Sequence, residues 1–153
     1  MHAIELLLDD HETVAGLFDR VRANKGNADL SLFQKIRAAI EVHKHIEETL
    51  FYPKLADAGD DELKEIVDTA IENHRQVNLD LDELGELADS DERFVPRLKI
   101  MMEDVEQHAE EEEERLFPLV ENQFDEEALE ELGAKMEEER TKYQADNYGS
   151  ILL

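Results

Sequence analysis

His43-Lys44-His45-Ile46-Glu47-Glu48-Thr49-Leu50-Phe51-Tyr52-Pro53 returns as His108-Ala109-Glu110-Glu111-Glu112-Glu113-Glu114-Arg115-Leu116-Phe117-Pro118. In each copy a glutamate follows the histidine by four residues and a proline follows it by ten. On a helix, positions i and i+4 share a face one turn apart, so each copy presents an imidazole beside a carboxylate. Two such pairs facing each other would supply a nitrogen/oxygen site of the kind suited to iron or manganese.

The rest of the chain reads as helix around this repeat. Amphipathic periodicity predicts segments at about 3–23, 30–52, 62–88, 91–122 and 126–145. The turn-forming Asn24–Asp29 stretch closes the first, with Asp29 a predicted N-cap for the second. Pro53 and the Ala58-Gly59-Asp60-Asp61 turn are expected to end the second, and Asp89-Ser90-Asp91 to precede the fourth. Pro96 moves the fourth helix's start a few residues later. The chain therefore reads as all-α, an up-down-up-down antiparallel four-helix bundle over residues 1–122 with an additional C-terminal helix. That acidic helix and tail, 123–153, is expected to pack on the same domain through Leu129, Leu132 and Met136, with Ile151-Leu152-Leu153 free to dock.

Each repeat histidine has counterparts on the other helices. His11 has Ile4, Leu8 and Phe18 at −7, −3 and +7; His43 has Ile36, Ile40 and Leu50; His74 has Val67, Ile71 and Leu81. His108 has Met101 and Val105, and then Leu116 and Leu119 continue its stripe past Arg115. Apolar residues at these offsets mark the core face of a bundle helix. In an antiparallel hairpin, residues equidistant from the loop share a level. The His11/His43 midpoint is residue 27, the His43/His74 midpoint lies between 58 and 59, and the His74/His108 midpoint is residue 91, each at a turn. Four histidines thus meet in one layer, reached by Glu47 and Glu112 from a turn away. Burying six unpaired polar groups costs several kcal/mol, and coordination of a metal makes such a cluster favourable. His45, about 200° around from His43 among polar neighbours, is expected on the surface, and His2 is terminal.

Composition narrows the chemistry. Cysteine is absent, which excludes thiolate zinc sites, iron–sulfur clusters and disulfides. A net charge of −25 argues against nucleic acid or an anionic membrane as partner. With no membrane-length apolar run and no basic leader at the start, a cytoplasmic protein is expected. Positions −3 from the histidines are Leu8, Ile40, Ile71 and Val105, so the Glu-x-x-His pattern of ferritin-like bundles is missing. Zinc takes four ligands and calcium or magnesium favour oxygen, so four histidines and two glutamates point to iron, with manganese second.

Leu8–Phe18, His43-x-x-x-Glu47-Glu48-x-x-Phe51-Tyr52-Pro53, His74-Arg75-Gln76-Val77 and His108-x-x-x-Glu112-Glu113-x-x-Leu116-Phe117-Pro118 resemble the hemerythrin-like, HHE cation-binding domain over roughly residues 3–120. The resemblance implies a non-haem di-iron centre held by His11, His43, Glu47, His74, His108 and Glu112. It further implies bridging by Glu47, Glu112 and an oxo or hydroxo group. The chain departs from the oxygen carriers: Asn78 and Ala70 stand four residues either side of His74 where those have a second histidine. The resemblance therefore points to binding or handling of oxygen, nitric oxide or hydrogen peroxide in stress or iron response, by a monomer or weak homodimer. A peroxide-decomposing enzyme, an iron store or donor, and a metal-free interaction bundle stand as alternatives. Phe51, Tyr52 and Phe117 are expected to close that end of the bundle, and Glu111 and Glu113 to be solvated.

Overall fold

The computed structural model describes residues 1–25 and 27–149, and among them there is helix and no strand. The Ile151–Leu153 segment lies outside the described residues. Helix α1 spans Ala3–Ala23 and α2 Leu30–Ile46; α2 continues through a π-helical turn, Glu47–Phe51, into α3, Tyr52–Ala56. After α4, Asp61–Glu86, and α5, Phe94–Glu111, a second π turn, Glu112–Leu116, leads into α6, Phe117–Gln123. Helix α7 spans Glu126–Asn147.

The starts follow from capping. Asp29, Asp60 and Asp125 each accept a hydrogen bond from the backbone N–H three residues on, at 3.0, 2.9 and 2.8 Å. His2 caps α1, its Nδ1 accepting from Ile4 N–H at 3.1 Å. Helix α5 begins at Phe94, and Pro96 sits in its first turn, where a missing N–H costs nothing. The loops between α1, α2, α4 and α5 are short enough to fold each helix back on the one before it.

One expectation is corrected. Pro53 does not end the second helix. A proline inside an α-helix lacks a donor and crowds the carbonyl four residues back. Here the preceding turn widens, so that Tyr52 N–H donates to Glu47 O and Phe117 N–H to Glu112 O, five residues back. The re-registered turn lets the helix pass through the proline. Both π turns start on the repeat's glutamate.

The core is split by the histidine layer. On the side of the α1–α2 loop, Phe18, Phe33, Ile36, Leu81, Phe94 and Met101 pack together. On the other side, Leu7, Ile46, Phe51, Leu63, Leu116 and Val120 form a second cluster. Leu129, Leu132 and Met136 of α7 join this second cluster, and α7 lies against α1 and α2.

Candidate metal centre

The structure brings all six sequence-predicted residues together. His11 comes from α1, His43 from α2, His74 from α4 and His108 from α5, while Glu47 and Glu112 open the two π turns. The His11 and His43 rings lie 5.0 Å apart, and so do those of His74 and His108. Two groups form that could each hold a metal ion: His11, His43 and Glu112, and Glu47, His74 and His108.

The carboxylates cross between the groups. Glu47 Oε1 is 3.2 Å from His74 Nε2 within its own group and 3.1 Å from His43 Nε2 in the other. Glu112 Oε1 is 3.1 Å from His11 Nε2 and 3.7 Å from His108 Nε2. Glu47 is wholly buried and Glu112 nearly so. His43 Nε2, His108 Nε2 and both Glu47 carboxylate oxygens lack any hydrogen-bond partner. Buried polar atoms are nearly always paired, so this donor set fits a cation placed among them.

Carboxylates behind the rings fix which nitrogen faces inward. Asp10 Oδ2 is 2.9 Å from His43 Nδ1, and Glu113 Oε2 is 3.2 Å from His11 Nδ1. Glu48 Oε2 lies 3.5 Å from His74 Nδ1. A proton held on Nδ1 by such a partner leaves the Nε2 lone pair for the centre. Glu113 is exposed, as expected, and yet reaches the site through this contact.

Without a cation the charges strain one another. Burial, and then the neighbouring Glu47 charge, push the Glu112 carboxyl up to about 7. Burial would also raise Glu47, but the His43 charge and the close approach of Glu112, His43 and His74 outweigh it and hold Glu47 well below the usual range. Burial opposes protonation of His43 and His74, yet Glu47 and Asp10 keep His43 well above its ordinary value. Glu47 and Glu48 bring His74 to about 9. His108 falls to about 4, through burial and the three other imidazoles, against the pull of Glu47.

Two aromatic residues enter the site that the sequence placed elsewhere. Tyr52 donates its hydroxyl to Glu112 Oε2 at 2.8 Å and sits 3.4 Å from His74 Nε2. Phe117 stacks on His11, with ring centroids 5.8 Å apart. By α-helical winding, nine residues after a histidine is the opposite face; the π turns rotate both rings back inward. Replacing Tyr52 with phenylalanine keeps the ring and leaves Glu112 Oε2 without its donor. This change is expected to cost about 2 kcal/mol in chemical denaturation of the metal-free protein at neutral pH.

His45 is placed outside the cluster, but it is not a surface residue. Helix α7 covers it: its Nε2 lies 2.8 Å from Glu139 Oε1, and its ring stacks on Tyr143 at 4.0 Å. Further along α7, Arg140 Nη2 donates to Asp10 Oδ1, which links α7 to the carboxylate holding His43.

A family model of the hemerythrin HHE cation-binding domain matches residues 2–120. The chain belongs to the hemerythrin HHE family. It is also similar to a crystal structure of a hemerythrin HHE cation-binding domain-containing protein from Mycobacterium kansasii. The two share 26% identity over 97% of this chain and 94% of that one, with a TM-score of 0.76. The uncovered share is too small to leave out α7, which the family model does not reach. No curated protein matches the chain. In this hemerythrin domain no described helix is long and apolar enough to cross a membrane.

Proposed function

We propose that this hemerythrin domain holds two non-haem iron ions and uses them to bind or handle oxygen, nitric oxide or hydrogen peroxide. The observation that carries the reading is that each buried carboxylate contacts histidines of both three-residue groups. Glu47 touches His43 and His74, and Glu112 touches His11 and His108. Carboxylates so placed would bridge two ions, with His11 and His43 on one and His74 and His108 on the other. Four imidazoles and two carboxylates favour iron, then manganese, over zinc or calcium.

Iron there would supply redox change and open positions for a small ligand. The chain's residues do the rest. Asp10 and Glu113 orient imidazoles. Tyr52, whose hydroxyl burial and then the Glu112 and Glu47 charges hold well above its ordinary pKa, keeps its proton aimed at Glu112. Phe117 and the core around Glu47, Glu112 and Tyr52 close that side of the centre to bulk water.

The test is metal content after anaerobic loading with ferrous iron. Two equivalents per chain are expected. His43→Ala and His108→Ala should each drop below one, while His45→Ala should retain two because its partners, Thr49, Glu139 and Tyr143, lie outside the cluster. Less than one equivalent in the unaltered protein would overturn the reading. Optical spectra after exposure to oxygen, nitric oxide or peroxide then separate the ligands, and sustained peroxide turnover would make the protein an enzyme rather than a binder.

A further inference from the structure

A cavity of about 360 Å³ adjoins the four histidines on the side away from Glu47, Glu112 and Tyr52. Val14, Ile40, Val77 and Val105 line it, each three residues along its helix from one of the four histidines, and Phe18 lies deeper. The exposed residues of its rim come from α1 and from the α5 end, and they include Ala15, Glu110 and Glu114.

The size and lining do not match a diatomic molecule or peroxide alone. Such a ligand needs about the space of one or two waters, roughly 30 Å³ each, so the cavity is several times too large. Peroxide is polar and would be served only at the histidine end, since the walls beyond it, Val14, Ile40, Val77, Val105 and Phe18, are apolar. The volume falls within the range of pockets that enclose small organic molecules.

The rim sets the charge. Glu110 and Glu114 stand along it, beside Glu106, which pairs with Arg22, and Glu113, which is held by His11, on a chain of net charge −25. Lys44 also lines the cavity, but burial opposes its charge, and the field of Glu48, Glu41 and Asp82 counters what charge it keeps. An anionic amphiphile would be repelled at the mouth, and a cation attracted.

We propose that the cavity binds a small organic cation with an apolar body, of the alkylamine class, with its tail toward the histidines and its ammonium at the glutamate rim. The proposal rests on the di-iron reading only for what the bound molecule would lie beside; the cavity itself does not depend on iron.

Calorimetric titration of the iron-loaded and metal-free protein with n-octylamine, n-octanol and octanoate tests it, with iron content measured on the same samples. Saturable binding of one octylamine per chain is expected, at least tenfold tighter than octanoate. Ala15→Trp, an exposed rim change outside the candidate ligands, should abolish octylamine binding and leave iron content unchanged. Glu110→Gln with Glu114→Gln should narrow the preference for the amine over octanoate. No saturable octylamine binding in protein holding two irons, or equal binding of octanoate, would overturn the proposal and leave the metal reading intact. Octylamine binding to protein that takes up no iron would sustain the cavity and sink the metal reading.

Discussion

Glu112→Gln is expected to stabilise the metal-free protein and to weaken the metal-loaded one. In the metal-free state Glu112 is buried beside Glu47 and its carboxyl rises to about 7 from an ordinary 4.5. A carboxyl raised by folding contributes stability that is fully present below its unfolded value and lost as pH rises through the folded one. At pH 8 the buried charge therefore costs the fold on the order of 2 kcal/mol. Glutamine removes the charge, keeps the volume, and can still accept from the Tyr52 hydroxyl. The metal-free variant should melt a few degrees higher at pH 8 for a chain of this size, and the gain should vanish below about pH 4.5. Iron reverses the sign. A neutral carboxamide is a poor bridge between two cations, so binding of the second equivalent should fail, and with it the stabilisation that a tightly bound metal gives to the folded state. Thermal unfolding of both proteins, with and without iron, at pH 8 and pH 4.5 reads the whole set. A metal-free variant no more stable than its parent at pH 8 would show that Glu47 and Glu112 do not strain one another.

That strain was legible in the sequence because it follows from spacing. The apolar offsets around His11, His43 and His74, and midpoints that land on turns, place four imidazoles at one level without any coordinates. What failed rests on local departures from α-helical winding. Tyr52 and Phe117 look like end-capping aromatics at 3.6 residues per turn, and only the π turns before Pro53 and Pro118 bring them under Glu112 and against His11. A proline six residues past a buried ligand-type glutamate, occurring twice, is the signal that could have found them, since π turns gather at functional sites. Asp10 and Glu113 were hidden for a different reason. Among 41 acidic residues, nothing local distinguishes these two, which reach His43 and His11 from other helices. His45 is more covered than expected because α7 docks not only through Leu129, Leu132 and Met136 but also through polar pairs such as His45 with Glu139, joined past its end by Tyr148 with Glu41.

Those pairs make α7 part of the centre's support, and Gly133 is where that support is most vulnerable. A Cβ at Gly133 would run into the Met1 carbonyl oxygen and lie 2.8 Å from both Ala3 N and the His2 carbonyl carbon. These are backbone atoms at the start of α1, which no side-chain rotation can move aside. Alanine gains about 1 kcal/mol over glycine in a helix. Here that gain is outweighed by forcing α7 away from α1, which loosens Leu129, Leu132 and the fully buried Met136 and costs about 2–4 kcal/mol. Gly85→Ala is the control: its Cβ would meet the tip of the Arg37 guanidinium at 2.5 Å, a flexible group that can shift, so the net change should stay within about 1 kcal/mol. The effect should also reach the metal. Arg140 lies seven residues beyond Gly133, two turns along α7, and its bond to Asp10 steadies the carboxylate that orients His43. Gly133→Ala is therefore expected to lower the melting temperature by several degrees and to speed iron release to a chelator. Arg140→Ala should speed release with a smaller loss of stability. Unchanged melting in Gly133→Ala beside a normal Gly85→Ala would mean that α7 does not sit on α1 as described, and the route from α7 to His43 would fall with it.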